Sequence, residues 1–560
     1  MLFKSGYITM KNIGLMSIAI VLAMLFLSVH EVSASTLPAV HEKVMTEQVT
    51  KGLTYEVRGR LTAKGWVNLH IMKMTLSEPT LILETIYSKD DPDDTETLVE
   101  MTAHDFTYTG AISGTMKDIL VGSEINEELL LEALEDEGVL LQGGDKVWEG
   151  NKKENERMAR SVYGVTTDRQ TLVFIVVDYN QSSIGATHEE MQDYLQDYGV
   201  VDAFYIDEVQ IPSMAIRSQG AFTLSQRNVP MDEIIPEPES FIGVGIRSEA
   251  PITEAYNLMI KVDRSPYRIS KPIGIKLLAR DMNYNPIAID SGQIAWSMSG
   301  GFGTISNDTF IPMEVGKTTL TAYYQGKRTS ITLDITDPNT KDPLYEALPG
   351  AGYTVNVFGT TVKQNRFLDA IVMRKVYETM NASSYGIFTG ETHIDGNKLT
   401  KNHYIYKNQY SVLDMEGARL ISLAMGSGSM VMTDASQWNK LKTTLATTAQ
   451  NSIIILGTKS LISNEKGQFQ YESRQIHELL KEFVAKSGKN VFYINAGATE
   501  DKNQWYEGVR YIDLNGLFYK VEENNSVNLY DSFQTLSFTF SGNKMTYRLT
   551  DLYPKTTVSR

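Results

Sequence analysis

The spacing of apolar positions changes along the chain and divides it into segments of different predicted structure. Residues 173–177 (VFIVV) are wholly apolar and mostly β-branched, which is typical of a strand buried on both faces. A capping-box pattern, Thr187 with Glu190, then begins a helix that a glycine ends. The run 200–207 (VVDAFYID) indicates a second strand. Strand, capped helix and strand form an α/β crossover, so we expect residues 50–248 to fold as an α+β domain.

A different pattern begins near residue 258. Short alternating runs separated by Gly, Asn and Asp fill residues 258–336, which predicts a small β-sandwich. Residues 337–352 contain three prolines and two glycines and are predicted to be a linker. Residues 353–560 return to an α/β pattern, with a buried strand predicted at 452–457 (SIIILG). We expect one sheet covered by helices there, because one apolar helical stripe comprises Ile476, Leu479, Leu480, Phe483 and Val484.

The N-terminus has the order of a secretory signal peptide. Basic residues precede the apolar run 13–29, and the small-residue pattern Val32-Ser33-Ala34 follows it. We therefore expect residues 1–34 to be cleaved and the protein to be secreted or associated with the cell envelope. An uncleaved signal anchor is the alternative, and Met10 is a second candidate start. No later run reaches 18 apolar residues, so no transmembrane span is expected after cleavage.

Composition excludes several kinds of chemistry. The 560 residues include 52 Lys plus Arg and 68 Asp plus Glu, a formal charge of -16, which argues against a nucleic-acid partner. Cysteine is absent, so disulfides, thiolate zinc sites, iron–sulfur clusters and cysteine nucleophiles are all excluded. Eight histidines are left for metal or acid–base roles.

Three segments of the first domain follow one another along the chain: 157–165 (RMARSVYGV), 171–178 (TLVFIVVD) and 182–207. Together they resemble the core of the phosphodiester glycosidase family. The resemblance aligns Arg160 with a family arginine and Asp207 with the first aspartate of a glycine-rich loop. It implies glycosidic chemistry on a sugar phosphodiester.

The glycine-rich loop of that family is altered here. Asp207 is followed by Glu208 and then by Val, Gln, Ile and Pro, and a β-branched residue and a proline cannot turn as glycines do. Upstream, Gly114 matches the family's glycine, whereas the preceding asparagine is replaced by serine. The candidate catalytic residues are Asp207, Arg160, Asp178 and Glu208, and the candidate substrate-binding residues are Arg160 and Gly114. The alternative is that Arg160 and Asp207 are a structural remnant.

Two segments near the C-terminus, 408–428 (NQYSVLDMEGARLISLAMGSG) and 436–446 (SQWNKLKTTLA), resemble calcineurin-like metallophosphoesterases. That family uses two bridged metal ions with His, Asp and Asn ligands. Here the corresponding turns read 457–459 (GTK), 496–499 (AGAT) and 358–361 (FGTT), without those ligands. We therefore expect an α/β metallophosphoesterase-like domain with no metal site and no cofactor. The sandwich before it is similar to bacterial Ig-like modules.

Three other groups of polar residues are candidates for chemistry. Glu391, His393 and Asp395 would share one face if they formed a strand and could then hold a hard metal, but a solvated face is the simpler interpretation. His477, at the edge of the helical stripe, is predicted to be a boundary residue. The acidic turn 90–94 is either a weak calcium loop or a solvated loop.

Two functional hypotheses remain open from the sequence. The first is an exported protein with degenerate hydrolase-like domains that binds or organises a phosphorylated glycan or cell-wall polymer. The net charge opposes a polyanionic ligand unless a local basic patch overrides it. The second is a divergent phosphodiester glycosidase that uses Arg160 and Asp207, with Asp178 or Glu208 as the second carboxyl group. The oligomeric state is left open.

Overall fold

The computed structural model describes residues 38–553 with internal gaps. The residues outside the description are 1–37, 88–96, 122–123, 136–137, 149–154, 207–211, 230–241, 264–265, 307, 338, 348–350, 362–366, 427, 463–467, 499–500, 517–519, 522–526, 529–532, 543 and 554–560. The predicted signal peptide at 1–34 and the acidic turn at 90–94 therefore lie outside the described residues.

An eight-stranded sheet is the centre of the N-terminal part. Its strands, in spatial order, are Ala39–Thr50, Leu53–Thr62, Gly65–Thr75, Thr171–Val177, Arg160–Thr166, Val200–Tyr205, Val139–Gln142 and Asp145–Lys146. Strand Thr171–Val177 alternates between two cores: Phe174 enters one cluster and Ile175 the other, and both side chains are fully buried. The prediction of a strand buried on both faces is confirmed.

A five-stranded sheet packs on one face of the eight-stranded sheet. Its strands are Ser225–Gln226, Met214–Ile216, Tyr108–Ser113, Ile242–Ser248 and Leu81–Tyr87. Ile112, Met214 and Ile246 join side chains of the larger sheet in one apolar cluster.

The described residues also form three two-stranded pairs elsewhere in the chain: Tyr179–Asn180 with Ser183–Ile184, Leu120–Val121 with Glu124–Ile125, and Lys520–Val521 with Val527–Asn528.

Seven α-helices occur among the described residues: α1 (Leu98–Met101), α2 (Glu127–Leu134), α3 (His188–Asp197), α4 (Phe367–Asn381), α5 (Met430–Asp434), α6 (Gln437–Thr447) and α7 (Gln468–Ser487). The predicted capping box is present at α3, where Thr187 Oγ1 accepts from the Glu190 amide at 3.2 Å and Glu190 Oε2 accepts from the Thr187 amide at 3.0 Å. In the described part of the chain, no helix has both the length and the apolar character needed to cross a membrane.

Residues 257–336 form two facing sheets. One contains Asn257–Val262, Ile273–Arg280, Thr309–Pro312 and Gly303–Ser306, with Pro286–Ile287 paired to the second of these. The other contains Tyr267–Arg268, Lys327–Thr336, Gly316–Tyr324 and Ala295–Ser299. Ile275 and Phe310 of the first sheet share an apolar cluster with Leu320 and Leu333 of the second, as the alternating pattern predicts.

Besides the short pair already named, the described residues of the C-terminal part form two large sheets packed face to face, rather than the one predicted. The first contains His403–Ile405, Tyr385–Phe388, Tyr353–Phe358, Gln534–Ser541 and Lys544–Asp551. The second contains Ser411–Met415, Ala418–Ser422, Ser452–Gly457, Asn490–Asn495, Val509–Asp513 and Lys502–Tyr506. Val355 and Leu536 of the first sheet contact Ile454 and Phe492 of the second in a shared core. Side chains of α5, α6 and α7 pack on the second sheet, and α4 packs on the first.

The N-terminal strands also contact the C-terminal helices. Leu61 and Trp66 belong to the same apolar cluster as side chains of α6 and α7. The His41 ring stacks on the Trp438 ring with centroids 5.1 Å apart, and His41 Nε2 lies 3.2 Å from Gln475 Oε1. The N-terminal strands and the C-terminal helices are therefore packed into one structural unit.

This contact predicts a pH-dependent stability. Burial, and after it the charge of Lys442, lowers the pKa of His41 below its ordinary value of 6.5. The fold is therefore more stable with a neutral His41 ring than with a protonated one. This contribution to the free energy of unfolding is complete above pH 6.5. It is lost as the pH falls from 6.5 through the lowered pKa, because the unfolded chain then binds more protons. Over that range, the protection of the amides in strand Ala39–Thr50 against hydrogen exchange should fall, once the intrinsic pH dependence of exchange is taken into account. The His41→Phe variant should show a flatter pH profile, and an unchanged profile in it would contradict this cause.

Candidate functional site

The strand register brings Arg160 and Asp178 to one edge of the eight-stranded sheet. Arg160 pairs with Val177, the residue before Asp178. On the other side of the same strand, the Ile206 amide donates to the Ser161 carbonyl at 3.1 Å. Asp207 and Glu208 follow Ile206 in the sequence and lie outside the described residues.

The Arg160 guanidinium donates hydrogen bonds to backbone carbonyls of the protein. Its side chain is buried, with Nε 2.9 Å from the Ala186 carbonyl and one terminal nitrogen 2.8 Å from the Glu156 carbonyl. Burial lowers the pKa of Arg160 to about 10. Ala186 immediately precedes the N-cap of α3, so Arg160 holds the start of this helix against the sheet.

Asp178 is also held by internal hydrogen bonds. It is 3% exposed; Oδ2 lies 3.2 Å from His70 Nε2, and Oδ1 accepts from the Val229 amide at 3.1 Å. His70 Nδ1 lies 2.8 Å from the Tyr55 hydroxyl, and burial raises the pKa of this tyrosine. Tyr55, His70 and Asp178 therefore form a buried polar chain from the strand interior to the sheet edge.

Sequence reasoning missed Tyr55 and His70. They lie on neighbouring strands, Leu53–Thr62 and Gly65–Thr75, and register pairs His70 with Val176, two residues before Asp178. A histidine within a largely apolar strand was the available signal, but the pairing that brings it to Asp178 requires the sheet.

Gly114 follows strand Tyr108–Ser113 of the five-stranded sheet and has a φ of +100°, a backbone conformation that favours glycine. Its amide donates to the Ile242 carbonyl at 2.8 Å, and the adjacent Ser113 Oγ accepts from the Ser213 amide at 2.7 Å. Hydrogen bonds and the backbone together connect this strand end to Asp178: the Met214 amide donates to Asn228 Oδ1 at 2.8 Å, and the amide of the next residue, Val229, donates to Asp178. We call Gly114, Arg160, Asp178, Asn228 and Val229 the Asp178 edge.

Arg227, which precedes Asn228 in the sequence, brings a positive charge to the Tyr55 ring. The Arg227 guanidinium is 5.4 Å from the centre of the Tyr55 ring. One terminal nitrogen donates to Ser218 Oγ at 2.6 Å and lies 3.2 Å from Glu47 Oε2. Arg227 thus supplies positive charge within an acidic protein, and Glu47 offsets part of it.

The alternative one-face arrangement of Glu391, His393 and Asp395 is wrong. Residues 391–395 form no strand; Glu391 Oε1 lies 3.2 Å from His393 Nε2, and Asp395 instead caps a short 3₁₀ turn. Within the described ranges, no group of three or more His, Asp or Glu side chains is placed to hold a metal ion.

His477 is more engaged than a boundary residue. Its Nδ1 lies 2.5 Å from the Tyr511 hydroxyl, and its Nε2 lies 2.7 Å from Glu507 Oε2. Lys481 Nζ donates to the other oxygen of Glu507 at 2.7 Å. This network fastens α7 to the turn between two strands of the second C-terminal sheet.

Comparisons with known proteins bear on the N-terminal part. No curated protein matches the chain. A hypothetical protein from Synechocystis has 11% identity and a TM-score of 0.26, with 39% of this chain and 65% of that protein covered, less than two thirds of its length. The catalytic domain of zebrafish N-acetylglucosamine-1-phosphodiester α-N-acetylglucosaminidase, auto-inhibited by its pro-peptide, has 11% identity and a TM-score of 0.24, with 38% and 87% covered. Residues 85–233, which include the whole Asp178 edge, match the phosphodiester glycosidase family model, and this part of the chain is therefore similar to phosphodiester glycosidases.

Proposed function

We propose that this protein is exported and binds a phosphorylated glycan at the Asp178 edge without cleaving it. The family match at residues 85–233 supports a ligand related to sugar phosphodiesters. The predicted signal peptide at 1–34 supports export. One observation supports binding without cleavage: Asp178 is buried, and both of its carboxylate oxygens are hydrogen-bonded within the protein.

Catalysis at a glycosidic bond requires an acid or base that reaches the substrate within hydrogen-bond distance. Asp178 is directed to His70 and to the Val229 amide instead. Arg160 donates to two carbonyls, whereas an arginine that grips a phosphate presents its planar fork to that ligand. The bonds described for both side chains are therefore bonds within the protein.

A divergent phosphodiester glycosidase is the second candidate. Ile206, the residue before Asp207, is hydrogen-bonded next to Arg160, which favours this candidate. Glycoside cleavage generally needs two carboxyl groups, and Asp207 with Glu208 or Asp178 would supply them.

The remaining parts of the chain are proposed to be scaffolds. An Ig-like spacer at 258–336 is supported by the two facing sheets and their shared core. A metallophosphoesterase-like region at 353–560 without a metal pair is supported by its two sheets between helices. The motif positions at 457–459 and 358–361 also lack ligand side chains.

The test uses protein lacking residues 1–34 and the methyl diester of N-acetylglucosamine 1-phosphate. We expect calorimetry to show binding and chromatography to show no released N-acetylglucosamine, because the described acid at the edge is held away from solvent. Absence of binding would contradict the proposal.

Release of the sugar would establish the second candidate if it required Asp207. The Asp207→Asn variant should then lose release while keeping the fold. Asp197→Asn, an exposed aspartate at the end of α3, is the matched control and should release sugar at the rate of the unmodified protein.

A further inference from the structure

A groove in the C-terminal part has no role in the function proposed above. It encloses about 910 Å³ and lies on the first C-terminal sheet, beside α4. A volume of about 300–1,000 Å³ is usual for ligand sites. The strands below it are Tyr353–Phe358, Gln534–Ser541 and Lys544–Asp551.

Strand register explains the chemistry of the groove floor. Alternate residues point to opposite faces, and Val355, Phe538 and Tyr547 form a cross-strand row in the core between the two sheets. The residues between them face the groove. The sheet is therefore apolar on its inner face and hydroxyl-rich on the face that lines the groove.

Three polar rows cross the floor. One is Thr354, Thr539 and Thr546, which are paired across the three strands. The next row runs from Asn356 through Ser537 to Arg548. The third pairs Thr535 with Thr550. Alternate positions on a strand are about 6.6 Å apart, so the three rows extend over about 13 Å.

Two hydroxyl groups on this floor have no hydrogen-bond partner among the described residues. They are Oγ1 of Thr535 and Oγ1 of Thr550, and both oxygens are buried. Thr535 is 2% exposed. A ligand in the groove cannot reach these two oxygens, so the groups open to it are those of the two longer rows, in which Thr539 and Thr546 are half-buried and Arg548 is exposed. In contrast, Ser537 Oγ donates to Asn356 Oδ1 at 2.7 Å, and Asn356 donates to the Thr379 carbonyl of α4 at 2.9 Å.

The charges around the groove do not favour a polyanionic ligand, because they are of both signs. Lys375 and Arg548 are its basic side chains, and Glu346, Glu378 and Asp551 are its acidic ones. Mixed charge gives no positive field, but each of these groups can bond to a hydroxyl. Threonine, serine and asparagine side chains both donate and accept, as sugar hydroxyls do.

We propose that this groove is a binding site for a neutral oligosaccharide, which lies across the rows Thr354–Thr539–Thr546 and Asn356–Ser537–Arg548 and bonds to their polar side chains. The site belongs to the C-terminal sheet, so it stands or falls independently of the Asp178 edge.

The experiment measures binding of chitohexaose, cellohexaose and maltohexaose to the full mature chain by calorimetry. We expect at least one of them to bind. Thr546→Val keeps the shape of the side chain and removes a hydroxyl on the groove floor, so it should weaken binding about tenfold, which is 1.4 kcal/mol, without lowering the melting temperature. Arg548→Ala, at an exposed position, should weaken binding to a similar degree.

Thr319→Val is the matched control, because this threonine lies on a different sheet and its hydroxyl is bonded to Thr332. It should leave binding unchanged. Failure of all three sugars to bind would overturn the proposal, and so would binding that neither Thr546→Val nor Arg548→Ala weakens. A dimer that Arg548→Ala dissociates would identify the groove as a self-association surface and would also overturn it.

Discussion

Replacing Asp342 with alanine should lower the free energy of unfolding by about 3–5 kcal/mol, because it leaves a buried arginine without its partner. Asp342 receives two bonds from Arg510, at 2.5 and 2.9 Å, and a third from the Tyr547 hydroxyl at 2.8 Å. The side chains of Asp342 and Arg510 are 4% and 6% exposed. Urea denaturation, monitored by tryptophan fluorescence, measures the change in the free energy of unfolding.

The chain contains an exposed pair with the same geometry. Arg419 donates to both oxygens of Asp414, at 2.7 and 2.8 Å, and the Asp414 side chain is 50% exposed. Asp414→Ala should therefore cost less than about 1 kcal/mol. Similar losses in Asp342→Ala and Asp414→Ala would show that burial of the first pair does not determine its effect.

The second large effect is expected at Glu472, a 1% exposed residue of α7. Its two oxygens accept from the amides of Met430 and Val431 at 2.8 and 2.7 Å and from Trp438 Nε1 at 3.0 Å. Burial raises the pKa of Glu472, and the bonds from Trp438 and the two amides oppose this. Glu472→Ala leaves three buried donors unpaired, so we expect a loss of at least about 3 kcal/mol.

Hydrogen exchange measured by mass spectrometry will locate that loss. Peptides from α5 and α6 should exchange faster in Glu472→Ala, since the carboxylate ties both helices to α7. Glu482→Ala, on the same helix, removes an exposed pair with Lys486 and should change stability by no more than about 0.5 kcal/mol. Unchanged exchange in α5 and α6 would show that Glu472 does not hold them.

The positions of Arg160 and Asp178 at strand ends could be predicted from the sequence, but the hydrogen-bond partners of Asp178 could not. The runs around Arg160 and Asp178 predict strand ends, and the strand register brings both residues to one edge. The partners of Asp178 come from residue 70 and residue 229, which are distant in the chain. Hydrogen bonding by distant segments has no local signature, so the sequence alone left both a catalytic aspartate and a structural one open.

Local patterns by themselves determined the elements: the strand buried on both faces, the capping box at Thr187, the alternating strands of 258–336 and the stripe of α7. These follow from side-chain periodicity and capping, which act over a few residues. Only the tertiary structure decided which polar residues became internal. Asp342 lies in a proline-rich segment predicted to be a linker, yet it is buried against Arg510. Glu472 is one turn before Ile476 and so lies on the apolar stripe, where it binds the start of another helix. Such positions depend on long-range packing, because a buried charge is stable only where distant groups pair with it.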